Sequence, residues 1–317
     1  MSTPTRPLRW LVTGAAGQLG SDVQRVLNDA AHAPGAEAPA VLALGSSELD
    51  ITDRVEIDRV ISEFKPDVIL NAAGYTAVDQ AENDEARAFV VNATGPALLA
   101  AAAQRSGAKL LHISTDYVFA GDATTPYAVD EPTAPKSAYG RTKLAGEQAV
   151  RTLAPDHGFV IRTAWVYGAA GGNFVKTMAG FERSRETISV VDDQVGSPTW
   201  SYDLARGLVE LAHSSAPAGV YHCTNSGSVT WHGLARAVFS ELGADPARVL
   251  PTTTEAFPRP APRPAYSVLS DAAWRAAGLT PLPDWRVALH AAFERDSEAL
   301  AGRPAGGTAE SQDSANS

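Results

Sequence analysis

The sequence predicts an α/β fold, a doubly wound parallel sheet, with either a smaller appendage or a second domain towards the C-terminus. Three observations predict it. In the first half, short apolar runs alternate with segments of helical periodicity, which is typical of parallel strands joined by crossover helices. A glycine-rich turn follows the first apolar run directly. The second half is less regular and contains a proline-dense stretch, so we assign the appendage or second domain to it.

The elements of the first half follow in order. Five short apolar runs predict strands, at residues 8–13, 41–44, 68–70, 110–114 and 159–162. Four segments between them predict helices, at residues 19–28, 53–64, 82–105 and 138–153. Asp53 is predicted to be a helix N-cap, with Glu56 completing a capping box, and Pro96 is predicted to kink the third helix.

The second half gives fewer elements. It predicts a helix at 202–212, a strand at 220–224, a strand within the loop at 190–198 and an extended segment at 251–264. We expect the Gly-, Ala- and Ser-rich tail at 301–317 to be disordered.

Composition excludes several classes of protein. The chain has 317 residues, of which 44% are hydrophobic and 20% charged, and a formal net charge of -10. An acidic chain without a basic run is a poor candidate for binding nucleic acid or an anionic membrane. Its single cysteine, Cys223, allows no intramolecular disulfide and is expected to be a small buried side chain. No signal peptide and no run of about 20 apolar residues is evident, so we predict a cytoplasmic protein.

The glycine-rich turn has the spacing G-x-x-G-x-x-G, with Gly14, Gly17 and Gly20 between the first strand and the first helix. Glycine allows positive φ and a close approach of the backbone to a ligand. The start of the helix then offers free N–H groups to a pyrophosphate. Many glycine triads are only tight turns, but a triad between a strand and a helix at this position favours dinucleotide binding.

The ends of the next two strands are less decisive. The second strand runs into Gly45, Ser46 and Ser47, so it lacks both the acid that favours NAD and the Arg that favours NADP. Cofactor preference therefore stays open and leans towards NADPH, with NADH an alternative. The third strand ends in small residues at 71–74, which suit either a nearby cofactor or plain tight packing.

Tyr139 and Lys143 lie four positions apart in a predicted helix and therefore share one face. A nearby ammonium is expected to lower the pKa of a tyrosine, which could then protonate a carbonyl oxygen as hydride arrives. The pair alone could equally be an exposed amphipathic pair. It gains meaning from Ser114 and Thr115, whose hydroxyls end the fourth strand at the same edge of the sheet and could polarise that carbonyl.

These motifs together resemble the extended short-chain dehydrogenase/reductase superfamily and, within it, the family of dTDP-4-dehydrorhamnose reductases. The resemblance covers residues 8–294. Its most specific parts are Ser-Thr-Asp-Tyr-Val-Phe at 114–119 and Asp-Gln-x-Gly-Ser-Pro-Thr at 193–199. Further matching stretches lie at 12–20, 49–53, 71–79, 139–143, 161–167, 173–175 and 263–267.

The resemblance implies a Rossmann-type fold with a smaller C-terminal substrate-binding domain, and a role for each matched residue. The implied catalytic residues are Tyr139 as general acid, Lys143 and Thr115. The implied cofactor-binding residues are Gly14, Gly17, Gln18, Leu19, Gly20, Asp50, Ile51, Ala73, Gly74, Tyr75, Thr76, Tyr139 and Lys143. The implied substrate-binding residues are Thr115, Asp116, Tyr117, Trp165 and Arg263, with Arg263 the partner of the diphosphate of a dTDP-sugar.

The same resemblance implies the domain division and the reaction. Residues 1–167, with a returning helix and strand near 199–226, form the expected NAD(P)-binding domain. Residues 168–198 and 227–300 form the expected sugar-nucleotide domain. The implied reaction is NADPH-dependent reduction of the C4 keto group of dTDP-4-dehydro-L-rhamnose. A related 4-ketosugar reductase or epimerase, and a non-catalytic NADP-binding regulatory subunit, are the alternatives.

Two departures from the family pattern concern the loop before Tyr139 and a metal. The loop has Val129 where the family often has an acid, so its fold is in question. Some members form a dimer bridged by magnesium. Asp22 could take one ligand position, but we find no full ligand set and predict no metal; a homodimer stays open.

Overall fold

A computed structural model describes residues 6–32 and 37–302 and has a parallel sheet at its centre. In the described residues this sheet has six strands in the order β2-β1-β3-β4-β5-β10, with every neighbouring pair parallel. The predicted α/β fold class is confirmed. The strands are β1 Arg9–Thr13, β2 Ala40–Leu44, β3 Val68–Asn71, β4 Lys109–Thr115, β5 Gly158–Thr163 and β10 Gly219–His222.

Helices cover both faces of this sheet, which explains why its strands appear in the sequence as apolar runs. All four residues of β3 and all six of β5 are buried. One face packs on α1 and α8, and the other on α2, α5 and α6. These helices are α1 Gln18–Ala31, α2 Arg54–Phe64, α5 Gly95–Ser106, α6 Ala138–Leu153 and α8 Ser201–His213.

The N-terminus of α2 differs in detail from the predicted capping box. Asp53 is the N-cap, and its carboxylate accepts from the amides of Val55 and Glu56. The Glu56 carboxylate, however, accepts from the amide of Asp50 at 3.3 Å rather than from that of Asp53. The Asp53 amide already donates to the Asp50 carbonyl, so the reciprocal bond of a capping box has no donor.

The helix predicted at 82–105 starts at Glu85 and runs without a break to Ser106, but a π-helical turn interrupts its regular geometry. It comprises α4 Glu85–Phe89, the π-helical turn Val90–Thr94 and α5, and a separate short helix, α3 Val78–Ala81, precedes it. Pro96 lies in the first turn of α5, where its missing N–H needs no partner, and the wider turn ahead of it replaces the expected kink. By length and composition alone, the helix at 85–106 could cross a membrane. Half of its most apolar stretch, however, is buried inside this fold, as in a core helix.

The C-terminal part builds a second apolar core, centred on α7, α9 and α11. The tail predicted to be disordered from residue 301 was given too early a start, because Ala301 is the buried last residue of α11. Residues 303–317 lie outside the described part of the chain. The remaining elements are β6 Val166–Tyr167, α7 Phe174–Ser184, β7 Ile188–Val191, β8 Val195–Gly196, β9 Thr199–Trp200, β11 Val229–Thr230, α9 Trp231–Glu241, β12 Val249–Thr252, α10 Ala272–Ala276 and α11 Trp285–Ala301.

Candidate active site

A cleft of about 590 Å³ opens at the carboxyl ends of β1 and β3. It lies where the strand order reverses, the position at which ligands bind in open α/β sheets. Most of the predicted cofactor residues line it: Gly14, Gly17, Gln18, Leu19, Asp50, Ile51, Ala73, Gly74 and Thr76. Gly45, Ser46 and Val166 line it as well.

The glycines of the turn are required by the packing of the turn itself. Gly14 has φ +68°, and a Cβ there would lie 2.6 Å from the backbone nitrogen of Ala73. A Cβ on Gly20 would overlap the carbonyl oxygen of Gly14. Gly14 therefore lets the β1 turn contact the end of β3, whereas Gly20 lies beneath the turn and does not line the cleft.

The start of α1 suits a pyrophosphate. Its N-cap residue is Gly17, which has no side chain to accept from the first-turn amides. The next two residues, Gln18 and Leu19, line the cleft. Unpaired N–H groups at a helix N-terminus form a site for anions, so this end of the cleft fits a dinucleotide.

Tyr75, another predicted cofactor residue, does not line the cleft. Its backbone is held by Asn92, whose Oδ1 accepts from the Tyr75 amide at 2.8 Å while Nδ2 donates to the Tyr75 carbonyl at 3.0 Å. Asn92 Nδ2 also donates to Thr142 Oγ1 on α6, at 3.1 Å. This buried asparagine in the π-helical turn joins the edge of the cleft to the helix of Tyr139. Sequence reasoning missed it, although a polar residue among Val90, Val91 and Ala93 was the available signal.

Tyr139 and Lys143 lie on α6, which starts one residue before Tyr139. Ser137 caps the helix by accepting from the Gly140 amide at 3.1 Å. A Cβ on Gly140 would overlap the Tyr117 carbonyl oxygen, and one on Gly146 would overlap the Asn92 carbonyl oxygen. These two close approaches hold the helix against the π-helical turn of Asn92 and against the segment after β4.

The two hydroxyls at the end of β4 have different partners. Thr115 lies close enough to the hydroxyl of Tyr139 to influence its pKa, and its Oγ1 donates to Asp116 at 2.9 Å. Ser114 donates instead to Glu147 at 2.5 Å, whose carboxylate forms a buried ion pair with Arg162 at 2.7 Å. Of the two, Thr115 is the hydroxyl that a substrate carbonyl would meet beside Tyr139.

The predicted lowering of the Tyr139 pKa by Lys143 is wrong for this structure. Burial raises the pKa of Tyr139, the carboxylate of Asp116 raises it further, and the neighbouring Thr115 hydroxyl opposes both. The Lys143 ammonium donates to the Ile113 carbonyl at 2.6 Å, and burial lowers its own pKa to about 8. Burial also raises the pKa of Asp116 to about 6. Tyr139 is therefore protonated at neutral pH.

The predicted substrate residues lie around the same sheet edge. Tyr117 contacts Tyr139 edge to face, with 5.6 Å between the ring centroids. Arg263 and Tyr117 line a second cavity of about 150 Å³. The guanidinium of Arg263 pairs with Asp79 at 2.9 Å, a contact that sequence reasoning missed.

Trp165 follows the end of β5 and has an unusual environment. Its φ of +49° is rare for a bulky residue, and such strain is concentrated at functional sites. Trp231 stacks on its ring with 3.4 Å between centroids, and Gly196 lies against the ring edge, where a Cβ would overlap it. Trp165 is thus held in place beside Val166, which lines the cleft, but it lines neither the cleft nor the second cavity. Neither the strain nor the stacking on Trp231 was foreseen.

The two departures from the family pattern have structural counterparts. The loop carrying Val129 is held by Arg162, whose Nη1 donates to the Val129 carbonyl at 3.2 Å. The Asp22 carboxylate accepts from Ser201 and from Arg25, so its oxygens are already engaged. Within residues 6–32 and 37–302, no cluster of three His, Cys, Asp or Glu residues is arranged to hold a metal.

Comparison with known proteins places the chain among nucleotide-sugar reductases. Residues 8–297 match the family model described as RmlD substrate binding domain. A dTDP-4-dehydrorhamnose reductase of Streptomyces griseus is 50% identical over 96% of this chain and 97% of its own length. One from Mycobacterium tuberculosis is 49% identical over 91% and 93%. The solved dTDP-4-dehydrorhamnose reductase of Bacillus anthracis, in complex with NADP, has a TM-score of 0.86 and 41% identity, covering 92% of this chain and all of that one.

Proposed function

The chain belongs to the RmlD substrate-binding-domain family, and on that premise we propose that it is a dTDP-4-dehydrorhamnose reductase. It reduces the C4 keto group of dTDP-4-dehydro-L-rhamnose to give dTDP-L-rhamnose, with NADPH as the reductant. The observation that carries the proposal is the meeting of Tyr139 and Thr115 at the sheet edge that holds the dinucleotide cleft. Relatives of the same name that are about half identical over nearly the whole chain support it.

The lining of the cleft supports the following cofactor-binding residues. Gly14, Gly17, Gln18 and Leu19 would hold the pyrophosphate, because the first-turn amides of α1 face that end of the cleft. Farther along, Asp50 and Ile51 would flank the adenine, and Ala73, Gly74 and Thr76 the opposite side of the cofactor. Tyr75 contributes through its backbone, which Asn92 fixes. NADPH bound there supplies the hydride.

The chain's own residues then handle the proton. On binding, the Thr115 hydroxyl would turn its proton from Asp116 to the C4 carbonyl oxygen and polarise that carbonyl. As the hydride forms the new C–H bond at C4, the electron pair of the carbonyl moves to oxygen, and Tyr139 donates its phenolic proton to that oxygen. The raised pKa of Tyr139 keeps this proton in place until negative charge develops nearby. Lys143, which lies one turn further along α6, orients the nicotinamide ribose.

The substrate residues and the organisation of the protein complete the proposal. Asp116, Tyr117 and Trp165 would contact the sugar, and Arg263 the diphosphate. Residues 1–167 with 199–226 would form the cofactor domain, and 168–198 with 227–300 the sugar-nucleotide domain. We also propose a cytoplasmic location and leave open a homodimer.

A second candidate is a related 4-ketoreductase of a natural-product pathway. A probable dTDP-4,6-dihydroxy-2-methyloxan-3-one 4-ketoreductase of Streptomyces antibioticus is 51% identical over 90% of this chain, as similar as the rhamnose enzymes. A dTDP-4-keto-6-deoxy-D-glucose reductase of Streptomyces niveus is 47% identical over 90%. A non-catalytic NADP-binding subunit fits less well, since Thr115, Tyr139 and Lys143 are all present.

The test is a comparison of substrates. Purified protein is mixed with NADPH and either dTDP-4-dehydro-L-rhamnose or dTDP-4-keto-6-deoxy-D-glucose, and NADPH oxidation is followed by absorbance. The proposal predicts a higher kcat/KM for the rhamnose precursor. The reverse order would favour the second candidate, and no turnover of either sugar, together with tight binding to another enzyme, would favour a regulatory subunit.

A further inference from the structure

Asp79, in the short helix α3, connects the segment after β3 to the C-terminal half of the chain. Its Oδ1 accepts from Arg263 Nη2 at 2.9 Å and from the backbone amide of Ala261 at 3.2 Å. On the other side, Arg263 Nη1 donates to the Ala261 carbonyl at 2.9 Å. One carboxylate therefore fixes both the backbone of this segment and the guanidinium that it carries, across a separation of 182 residues.

The backbone on the other side of Arg263 is fixed as well. Gly121, with φ +79°, lies so close to Pro264 that a Cβ there would be 2.7 Å from the proline ring. The amide of Tyr266 donates to the Gly121 carbonyl at 3.0 Å. Because the main chain is held on both sides, only the side chain of Arg263 could still change its conformation. The contacts of its guanidinium with Asp79 and with the Ala261 carbonyl restrict that side chain.

The guanidinium held in this way lies beside Tyr117, which packs on Tyr139. Arg263 and Tyr117 line the same small cavity, and Tyr117 packs edge to face on Tyr139. Burial raises the pKa of Tyr117; Arg263 opposes that shift and Asp79 adds to it, so both charges act on one hydroxyl of the site. The side chains of Arg263 and Asp79 are 19% and 31% exposed, which leaves the pair accessible to an anionic ligand from one side.

We propose that Asp79 is a positioning residue for the diphosphate of the sugar nucleotide, acting through Arg263 without touching the substrate. This inference rests on the proposed role of Arg263. Asp79 accepts a hydrogen bond from Nη2 of the guanidinium, and this contact orients the remaining N–H groups for the diphosphate before it binds. Holding a long side chain in its binding position lowers the entropy lost on binding. That gain must exceed the repulsion between the carboxylate and the diphosphate.

The experiment is a double-mutant cycle on the full-length protein saturated with NADP⁺. Asp79→Asn, Arg263→Ala and the double variant are titrated with dTDP by calorimetry, and KM and kcat are measured with dTDP-4-dehydro-L-rhamnose. Asn keeps an acceptor for the Ala261 amide but loses the charge. Asp84→Asn is the matched control, because it removes the same charge five positions along, at a helix N-cap that makes no side-chain capping bond.

Asp79→Asn is expected to raise both the KM for the sugar nucleotide and the Kd for dTDP about tenfold, the effect of losing one well-placed charged contact. The kcat value and the Kd for NADPH should stay within about twofold of wild type, since Tyr139 and the dinucleotide cleft are untouched. The double variant should be no weaker than Arg263→Ala alone, because Asp79 then has nothing to position.

Three results would overturn the inference. Asp79→Asn could leave dTDP binding unchanged or tighten it, which would mean that repulsion outweighs positioning. The two substitutions could multiply in the double variant, which would mean that Asp79 acts independently of Arg263. If Arg263→Ala itself binds dTDP normally, the assignment of Arg263 fails first. Should the Asn variant lose its thermal unfolding transition, Asp79→Ser, which also keeps an acceptor, replaces it.

Discussion

Replacing Lys143 with methionine is expected to stabilise the cofactor-free protein while abolishing its activity. The ammonium is buried, and burial lowers its pKa from 10.5 to about 8. Since one pKa unit corresponds to about 1.4 kcal/mol, keeping Lys143 charged at neutral pH costs about 3 kcal/mol. Methionine is apolar and of similar length, so it avoids that cost and loses mainly the 2.6 Å hydrogen bond to the Ile113 carbonyl. A net gain of about 2 kcal/mol is expected.

The pH dependence identifies the cause of this gain. Because the folded-state pKa of Lys143 lies below the unfolded value, the unfolded chain binds more protons between pH 8 and 10.5, and wild-type stability rises with pH there relative to the variant. The cost of charging Lys143 should fall by about 2 kcal/mol between pH 7 and pH 9.5, so the advantage of Lys143→Met should be largest below pH 8 and almost vanish by pH 9.5. Urea denaturation of both proteins at pH 7 and pH 9.5 measures it. A variant that is less stable than wild type at pH 7, or an advantage independent of pH, would refute the reasoning.

Three further predictions test the site and its supports. Tyr139→Phe should lower kcat by roughly 10²–10⁴-fold and leave the Kd for NADPH unchanged in fluorescence titration; an unchanged rate would assign the proton to another donor. Gly14→Ala should cost about 2–4 kcal/mol in unfolding free energy and weaken NADPH binding, because the new Cβ meets the backbone of Ala73; a variant with wild-type affinity would contradict the packing described. Glu147→Gln should lower the unfolding free energy by about 3–5 kcal/mol, since it leaves the Arg162 guanidinium buried without its charge partner; a thermal melt at the wild-type temperature would show that the pair is not needed.

Much of the fold was accessible from the sequence because parallel strands covered on both faces must be apolar throughout. The run at 159–162 lies within a strand buried at all six positions, and the helix predicted at 138–153 has those bounds. The glycine turn was also readable, since the positive φ of Gly14 requires glycine.

What the sequence could not supply depends on long-range contacts. The ion pair of Asp79 with Arg263 joins distant segments through side chains that have no common pattern. Likewise, the stacking of Trp165 on Trp231 follows from a backbone twist that local preference disfavours. The sign of the Tyr139 pKa shift was missed for a similar reason. An i, i+4 spacing places Lys143 on the same face, but burial and the Ile113 carbonyl decide where its ammonium lies and what it does to the tyrosine.

The most direct test of the central claim follows the transferred hydrogen. The protein is incubated with dTDP-4-dehydro-L-rhamnose and NADPH that carries deuterium at C4 of the nicotinamide on the transferred face, and the sugar product is analysed by NMR. We predict dTDP-L-rhamnose with one deuterium at C4 of the sugar, formed by wild type and almost lost in Tyr139→Phe. Deuterium at another carbon, or no transfer to the sugar by a protein that still binds NADPH, would contradict hydride delivery to the C4 carbonyl beside Tyr139.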